Sequence, residues 1–159
     1  MHEHNHQICI DQALKRAKQV CLQHGVRLTE LREQILRLIW QNHKPLGAYL
    51  LMNLLEENSD REHVAPPTVY RTLDFLIEHG LIHKVHSLNA YVGCSSPNQD
   101  RCNALFICSV CGETEEIPNN SIQQAINLSA SQHKFTVENQ MLEIMGKCQP
   151  CKQKKASDS

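Results

Sequence analysis

Hydrophobic residues in the first half of the chain recur every three or four positions, which is the spacing of one face of an α-helix. Four such stripes follow one another, and residues that cap or break helices limit them: Gly25, Thr29, Pro45, Pro66, Pro67 and Gly80. Residues 58–65, before the fourth stripe, are polar and aperiodic, as in a loop. The pattern therefore predicts four consecutive helices.

The spacing of hydrophobic residues changes after Gly80. Residues 82–86 and 90–94 read as two strands around a polar turn, so they predict a hairpin. Helices followed by a short hairpin form a winged helix, a fold that places one helix in the DNA major groove. Arg71 points away from the hydrophobic stripe of the fourth helix and is placed to contact guanine. Residues 1–94 are therefore predicted to be a winged-helix DNA-binding domain.

A second domain is predicted after a linker. Residues 95–103 have the polar composition of a hinge. Beyond them, residues 104–108 and 114–117 predict two strands, a helix begins near Asn120, and a later extended stretch changes the parity of its hydrophobic residues near Asn139. The predicted fold class is thus α+β, with an N-terminal winged helix-turn-helix domain and a small C-terminal α/β domain.

The second domain is predicted to span residues 104–151, and the lysine-rich residues 152–159 are predicted to form a disordered tail. A small sheet with one helix leaves strand edges exposed, and a second copy of the chain can cover such an edge. A two-fold dimer also matches a two-fold DNA operator. We therefore expect a homodimer in which the second domain is the dimerisation domain.

Two Cys-x-x-Cys pairs form the strongest chemical signal in the sequence. They are separated by 36 residues, positions 112 to 147, and together provide Cys108, Cys111, Cys148 and Cys151. Four thiolates at this spacing favour one tetrahedral structural zinc ion. A redox pair at Cys148 and Cys151 is the alternative, but the chain is expected to leave no room for the helix that such a pair begins in thioredoxin-like proteins. The sequence therefore predicts a zinc ion that stabilises the second domain.

Composition limits the classes of function that fit the chain. The 159 residues carry a net charge of −1, with a pI near 6.8, so DNA contacts must come from a local basic face. No hydrophobic run approaches the ~20 residues of a membrane span, and the first residues lack the pattern of a secretory signal. We therefore expect a cytoplasmic protein without membrane contact, in which cysteines bind metal. His2, His4 and His6 could bind metal loosely or form only a polar tail.

Several motifs accompany this order of elements: Val26–Thr29 with Arg32, Pro67–Leu76, Gly80–Val85 and Phe106–Gly112. In these motifs the chain resembles the ferric uptake regulator family of bacterial metal-responsive repressors. The resemblance covers nearly the whole chain apart from its two ends. It implies a repressor, not an enzyme, that binds double-stranded operator DNA as a metal-loaded homodimer.

Residues 101–107 distinguish the branches of this family. Iron-sensing members carry a His-His-x-His cluster just before the first cysteine pair, whereas residues 101–107 here contain no histidine. The chain therefore looks most like the zinc uptake regulator branch. This resemblance implies two zinc ions per chain, one structural and one regulatory, and repression of zinc-uptake genes.

The resemblance also implies the ligands of the regulatory zinc. His83, Cys94 and Glu116 match three of the four by position, although Glu115 is an adjacent alternative to Glu116. The fourth ligand is usually a hinge histidine, and the nearest candidate here is Cys102. Zinc accepts such a mixture of nitrogen, sulfur and oxygen ligands. Without a metal, His83 would be a solvated wing residue and Cys94 a core residue.

For DNA, the resemblance implies that Tyr49 and Arg71 contact bases and that Arg27 and Tyr70 contact the backbone. Tyr70 has the alternative of packing against its own helix. Glu30 departs from the family, in which proline begins the second helix, but a carboxylate is favourable in a first helical turn. The departure does not alter the expected DNA contacts.

Three other functions fit parts of the sequence. A sibling regulator that senses iron, manganese or peroxide is disfavoured by the thiols at the regulatory site. A thiol redox switch would use the four paired cysteines and release zinc on oxidation. A zinc hydrolase or deaminase would need His-Glu-x-x-His, or His-x-Glu before Pro-Cys-x-x-Cys, and the sequence has neither. The hypothesis is therefore repression in which zinc selects one orientation of two domains.

Overall fold

The structure, a computed structural model, describes residues 6–42, 44–58, 63–95, 103–118, 120–138 and 140–156. The chain divides into two units, Met1–Asn98 and Gln99–Ser159. The division falls within the predicted hinge, of which residues 96–102 lie outside the described ranges. No helix in those ranges has the length and apolar character needed to cross a membrane.

The first unit contains the four predicted helices, followed by a hairpin. Its elements are α1 (His6–Gln23), α2 (Glu30–Gln41), α3 (Ala48–Asn58), α4 (Pro66–Glu78), β1 (Ile82–Val85) and β2 (Ala90–Gly93). Thr29 caps α2, since its hydroxyl accepts a hydrogen bond from the backbone N–H of Arg32 at 3.4 Å. Proline begins α4, where its fixed φ suits a helix and its missing N–H is not needed. The predicted winged-helix arrangement is confirmed.

One hydrophobic core holds the four helices and the hairpin together. Ile35 of α2, Leu51 of α3 and Leu73 of α4 are all fully buried in it. Because α4 turns Leu73 and Leu76 inward, the opposite side of the helix, which includes Arg71, is exposed to solvent. The packing of the core therefore decides which face of α4 is presented outward.

The hairpin places His83 of β1 opposite Val92 of β2. Its turn includes Asn89 in the left-handed conformation, which asparagine tolerates better than most residues. Both strands end one residue earlier than predicted, because His86 belongs to the turn and Cys94 follows the last paired residue. Cys94 is nevertheless held to the hairpin, since its backbone N–H donates to the carbonyl of Leu81 at 3.0 Å.

The described residues of the second unit form a three-stranded sheet with two helices. Its elements are β3 (Asn103–Cys108), β4 (Thr114–Pro118), α5 (Asn120–Gln132), β5 (Met141–Gly146) and α6 (Gln149–Ala156). The strand order is β4-β3-β5, with β3 antiparallel to β4 and parallel to β5. Ala104, Leu105 and Ile107 of the central strand are buried, whereas α5 buries none of its residues. The second unit therefore has a small core of its own.

The end of the chain differs from its prediction. A disordered tail was expected from residue 152, but α6 continues to Ala156, so the prediction is wrong for residues 152–156; the last three residues lie outside the described ranges. Pro150 stands near the helix start, and the glutamine, lysine and alanine residues that follow have good helix propensity. The lack of room for a helix is thus no argument against a redox pair at Cys148 and Cys151.

Candidate metal centres and nucleic-acid interface

The four paired cysteines of the second unit lie together. Their Sγ atoms are all within 4.8 Å of one another, and those of Cys111 and Cys148 are 3.7 Å apart. Four sulfurs bound at about 2.3 Å to a tetrahedral zinc ion are separated by about 3.8 Å, so the cluster has the dimensions of a zinc site. We call Cys108, Cys111, Cys148 and Cys151 the four-cysteine cluster.

Tight turns of the backbone build this cluster. Cys108 ends β3, and the chain turns at Gly112, whose φ of 77° is readily adopted by glycine and whose N–H donates to the carbonyl of Cys108. The second pair follows β5, which is joined to the first by hydrogen bonds from the N–H and hydroxyl of Ser109 to the carbonyl of Gly146. Cys148 immediately precedes α6. The sheet therefore brings together thiols that are distant in sequence.

Hydrogen bonds within the cluster give its thiols different pKa values. The backbone N–H groups of Cys111, Cys148 and Val110 stabilise the Cys108 thiolate and lower its pKa from 9.0 to about 6. Hydrogen bonding to Cys148, together with burial, raises the pKa of Cys151 to about 12. At neutral pH the cluster thus offers an ionised sulfur at Cys108, and zinc would have to displace the proton of Cys151.

A second group of potential ligands lies at the wing of the first unit. A ring nitrogen of His83 and the Sγ of Cys94 are within 4.8 Å of one another. His83 is half-buried, so it is not the fully solvated wing residue expected without a metal, whereas the burial of Cys94 fits both a ligand and a core residue. We call these two residues the wing pair. An imidazole beside a thiol is a donor set that zinc accepts.

The remaining predicted ligands belong to the second unit or lie outside the described ranges. Glu116 is in β4 opposite Leu105 of β3, and it is half-buried. Glu115 is exposed and, because side chains alternate along a strand, it lies on the other face of the sheet. Cys102 lies outside the described ranges, as do His2 and His4. Within its own unit Glu116 is thus the more shielded of the two carboxylates.

The residues predicted to contact DNA are exposed side chains of the first unit. Arg71 of α4 is exposed, and its Nε donates to the carbonyl of Pro67 at 3.3 Å. Tyr49 of α3 is 77% exposed and Tyr70 of α4 is 47% exposed, a value that fits both a DNA contact and the alternative that Tyr70 packs against its own helix. Arg27 is exposed in the loop before α2. All four side chains are therefore accessible to a ligand.

One residue beside the wing pair was missed by the sequence reasoning. Arg16 of α1 donates from Nη1 to the carbonyl of Ser95, next to Cys94, at 3.0 Å. Arg16 lies 79 positions before Ser95, and no spacing rule links a helical arginine to a carbonyl so distant. Its position on the edge of the α1 stripe is the only signal that the sequence offers.

Known proteins resemble the chain over most of its length. A family model described as "Ferric uptake regulator family" matches residues 23–145. The zinc uptake regulation protein of Escherichia coli (strain K12) is 37% identical over 139 residues, which are 87% of this chain and 80% of that protein. The ferric uptake regulation protein of Campylobacter upsaliensis is 27% identical over 150 residues, covering 91% of this chain and 92% of that protein.

A solved structure extends the comparison to the fold. A zinc uptake regulator in complex with zinc and DNA matches with a TM-score of 0.84 and 36% identity, over 92% of this chain and 97% of that chain. The two proteins at 37% and 36% identity are thus both named for zinc, whereas the protein at 27% identity is named for iron.

Proposed function

Because the chain belongs to the ferric uptake regulator family, we propose that it is a zinc-responsive repressor that binds operator DNA and represses genes for zinc uptake. The observation that carries this proposal is the wing pair of His83 and Cys94 in a chain 37% identical to a zinc uptake regulation protein. Nitrogen and thiolate ligands favour zinc over manganese and other hard cations, and the higher identity to a zinc than to a ferric uptake regulation protein, 37% against 27%, disfavours an iron-sensing sibling. The function is one of regulation, and we propose no enzymatic activity.

The four-cysteine cluster is proposed to hold a structural zinc ion. Its sulfur spacing fits the ion, and four protein ligands leave no open position for a substrate. Bound zinc would stabilise the second unit, whose own hydrophobic core is small. This ion is expected to remain bound when the zinc supply changes.

The wing pair is proposed to hold the second, regulatory zinc ion. Glu116 and Cys102 are the proposed remaining ligands, and together with Cys94 they would give the site a charge of about 2 − 3 = −1. His83 and Cys94 belong to the first unit and Glu116 to the second. An ion that binds all of them selects one relative orientation of the two predicted domains, and it thereby links zinc binding to DNA binding.

Operator binding is proposed to use the exposed face of the first unit. Arg71 and Tyr49 would contact bases, and Arg27 and Tyr70 would contact the phosphate backbone. The exposed position of all four side chains supports this assignment. Because the net charge is only −1, these local contacts must provide the attraction to DNA.

The repressor is proposed to act as a homodimer in the cytoplasm. In the second unit β5 is an edge strand, and Phe106, Leu128, Phe135 and Met145 are large hydrophobic residues left exposed. A single small sheet with such a surface is a common site of pairing with a second copy. A dimer would place two copies of α4 against two operator half-sites.

Metal counting combined with DNA binding tests the proposal. The purified chain is expected to contain about two zinc ions, and mild chelation should remove one with loss of operator binding. A Cys94→Ser variant should keep its fold and one zinc ion but fail to bind the operator in response to zinc. Cys9→Ser, a thiol change on α1 in a residue that belongs to neither group of potential ligands, is the matched control. Unchanged operator affinity after removal of the second zinc would exclude the sensing role.

A further inference from the structure

The backbone that carries Cys94 is fastened to the helical core on both sides of the thiol. On one side, the N–H of Cys94 itself bonds to the carbonyl of Leu81. On the other, the carbonyl of Ser95 accepts a hydrogen bond from the guanidinium of Arg16, on α1. No sequence neighbour imposes this second bond, so α1 adds a constraint beyond the hairpin itself.

The Arg16 side chain is itself held by an aromatic ring. Its guanidinium carbon lies 5.8 Å from the centroid of the Trp40 ring, within the range of a cation–π interaction. A planar guanidinium can lie over a ring and donate to a carbonyl at the same time, which an ammonium group does less well. Trp40 therefore helps to orient Arg16 toward Ser95.

Trp40 also contacts the hairpin directly, at Gly93. A Cβ atom added at Gly93 would overlap the indole of Trp40, so the backbone before Cys94 lies close to the ring. Three successive residues, Gly93, Cys94 and Ser95, are thus packed on or bonded to α2, Leu81 just before β1, and α1, respectively. This arrangement leaves the Cys94 thiol little freedom.

One nitrogen of the Arg16 guanidinium is left without a hydrogen bond in this position. Its Nε is buried and has no hydrogen-bond partner among the residues that the structure describes. A buried donor without a partner opposes folding, so the contact of Arg16 with Ser95 is not explained by stability alone. A role in holding a ligand is consistent with this cost.

From these contacts we infer that Arg16 is a positioning residue of the regulatory zinc site, which acts by holding the Ser95 carbonyl and, through it, the Cys94 thiolate. The inference rests on the proposed function of the wing pair as zinc ligands. Groups that orient a metal ligand typically change metal affinity by about 10- to 100-fold when they are removed. Arg16 therefore tunes the zinc concentration at which the protein responds, without contacting zinc.

Zinc affinity measured in competition with a chelator tests the inference in the full-length chain. Arg16→Gln should weaken the second zinc by about 10- to 100-fold while the first stays bound. Lys15→Gln makes the same change of charge at an exposed position of the same helix and should leave both affinities unchanged. Trp40 is the only tryptophan, so its fluorescence provides a second readout. Its response to the second zinc should shift to higher zinc concentration in Arg16→Gln.

The outcomes separate this inference from the proposed function. Wild-type zinc affinity in a folded Arg16→Gln variant would overturn the role of Arg16, as would a lower melting temperature with unchanged affinity. If Arg16→Gln does not fold, Arg16→Lys decides, since it keeps the charge but not the planar group: weaker binding of the second zinc supports the inference, and wild-type binding overturns it. A wild-type chain that binds only one zinc would instead refute the proposed function.

Discussion

The backbone N–H of Cys148 points at the Sγ of Cys108 across 3.4 Å, although the two residues are 40 positions apart. Cys148 immediately precedes α6, so this N–H is one of the donors that a helix start leaves without a partner inside the helix. Such donors stabilise a negatively charged sulfur. The start of α6, a helix that the sequence did not predict, therefore stabilises the thiolate of Cys108, which is the form that binds a metal ion.

Replacement of Cys108 by serine tests the structural role of the cluster. The variant should lose one zinc per chain, and its second unit should become sensitive to protease, because zinc bound by four cysteines typically contributes on the order of 10 kcal/mol to folding. Metal analysis and limited proteolysis measure the two effects. Cys9→Ser should change neither. A Cys108→Ser protein with full zinc content would show that another ligand completes the site.

The acidity of Cys108 predicts how zinc binding by the cluster depends on pH. A thiol whose pKa is lowered from 9.0 to about 6 by folding stabilises the fold above pH 9, and this contribution is lost as the pH falls through about 6. Below about pH 6 a proton also competes with zinc for Cys108. We therefore expect the plot of log affinity against pH to steepen by about one proton there.

Chelator competition across the pH range, corrected for the protonation of the chelator, measures this slope. Cys151, with its pKa raised to about 12, stays protonated in the metal-free protein throughout this range, so its competition adds a constant slope and does not hide the change. A constant slope through pH 6 would mean that the backbone N–H groups do not hold the Cys108 thiolate before zinc arrives.

Local patterns in the sequence were sufficient to predict the helices and the four-cysteine cluster. The stripes that contain Ile35 on α2 and Leu73 on α4 both have helical spacing, and the two Cys-x-x-Cys pairs have the spacing of zinc-chelating pairs. By contrast, α6 was missed because its sequence has no hydrophobic stripe and only the helix propensity of its residues favours it. Where the hydrophobic pattern is weak, as near this chain end, tertiary contacts decide whether a helix forms.

The wing pair shows a second limit of the sequence. Residue types and order pointed to His83 and Cys94 only through a family resemblance, since nothing in their spacing of 11 positions requires the side chains to meet. Pairing of β1 with β2 is what brings them within 4.8 Å. Arg16 and Trp40 lie even further in sequence from the Cys94 segment that they contact. Neither residue was predicted to have a role.

The close contact between Gly93 and Trp40 predicts the effect of a single methyl group. Gly93→Ala should destabilise the first unit by about 1–3 kcal/mol, because the added Cβ overlaps the indole and forces it to move. Urea unfolding followed by circular dichroism measures the change. Gly93→Ala in a Trp40→Ala background serves as the control, since the penalty should largely disappear when the ring is absent. A penalty that persists there would place the cause in the backbone of Gly93.

The exposed guanidinium of Arg71 predicts how operator recognition can be separated from zinc binding. Arg71→Ala should weaken binding to the operator by about 1–3 kcal/mol, because a bidentate contact with one guanine is lost, while both zinc ions stay bound. Arg71→Lys keeps the charge without the planar fork and should lose most of the same specificity.

Arg37→Ala is the matched control, since that guanidinium is engaged with Glu33 at 3.6 Å on α2. Titrations with operator and with unrelated DNA at several salt concentrations distinguish the roles. If both DNAs lose affinity equally and the salt dependence falls by about one charge, Arg71 contacts a phosphate and not a base.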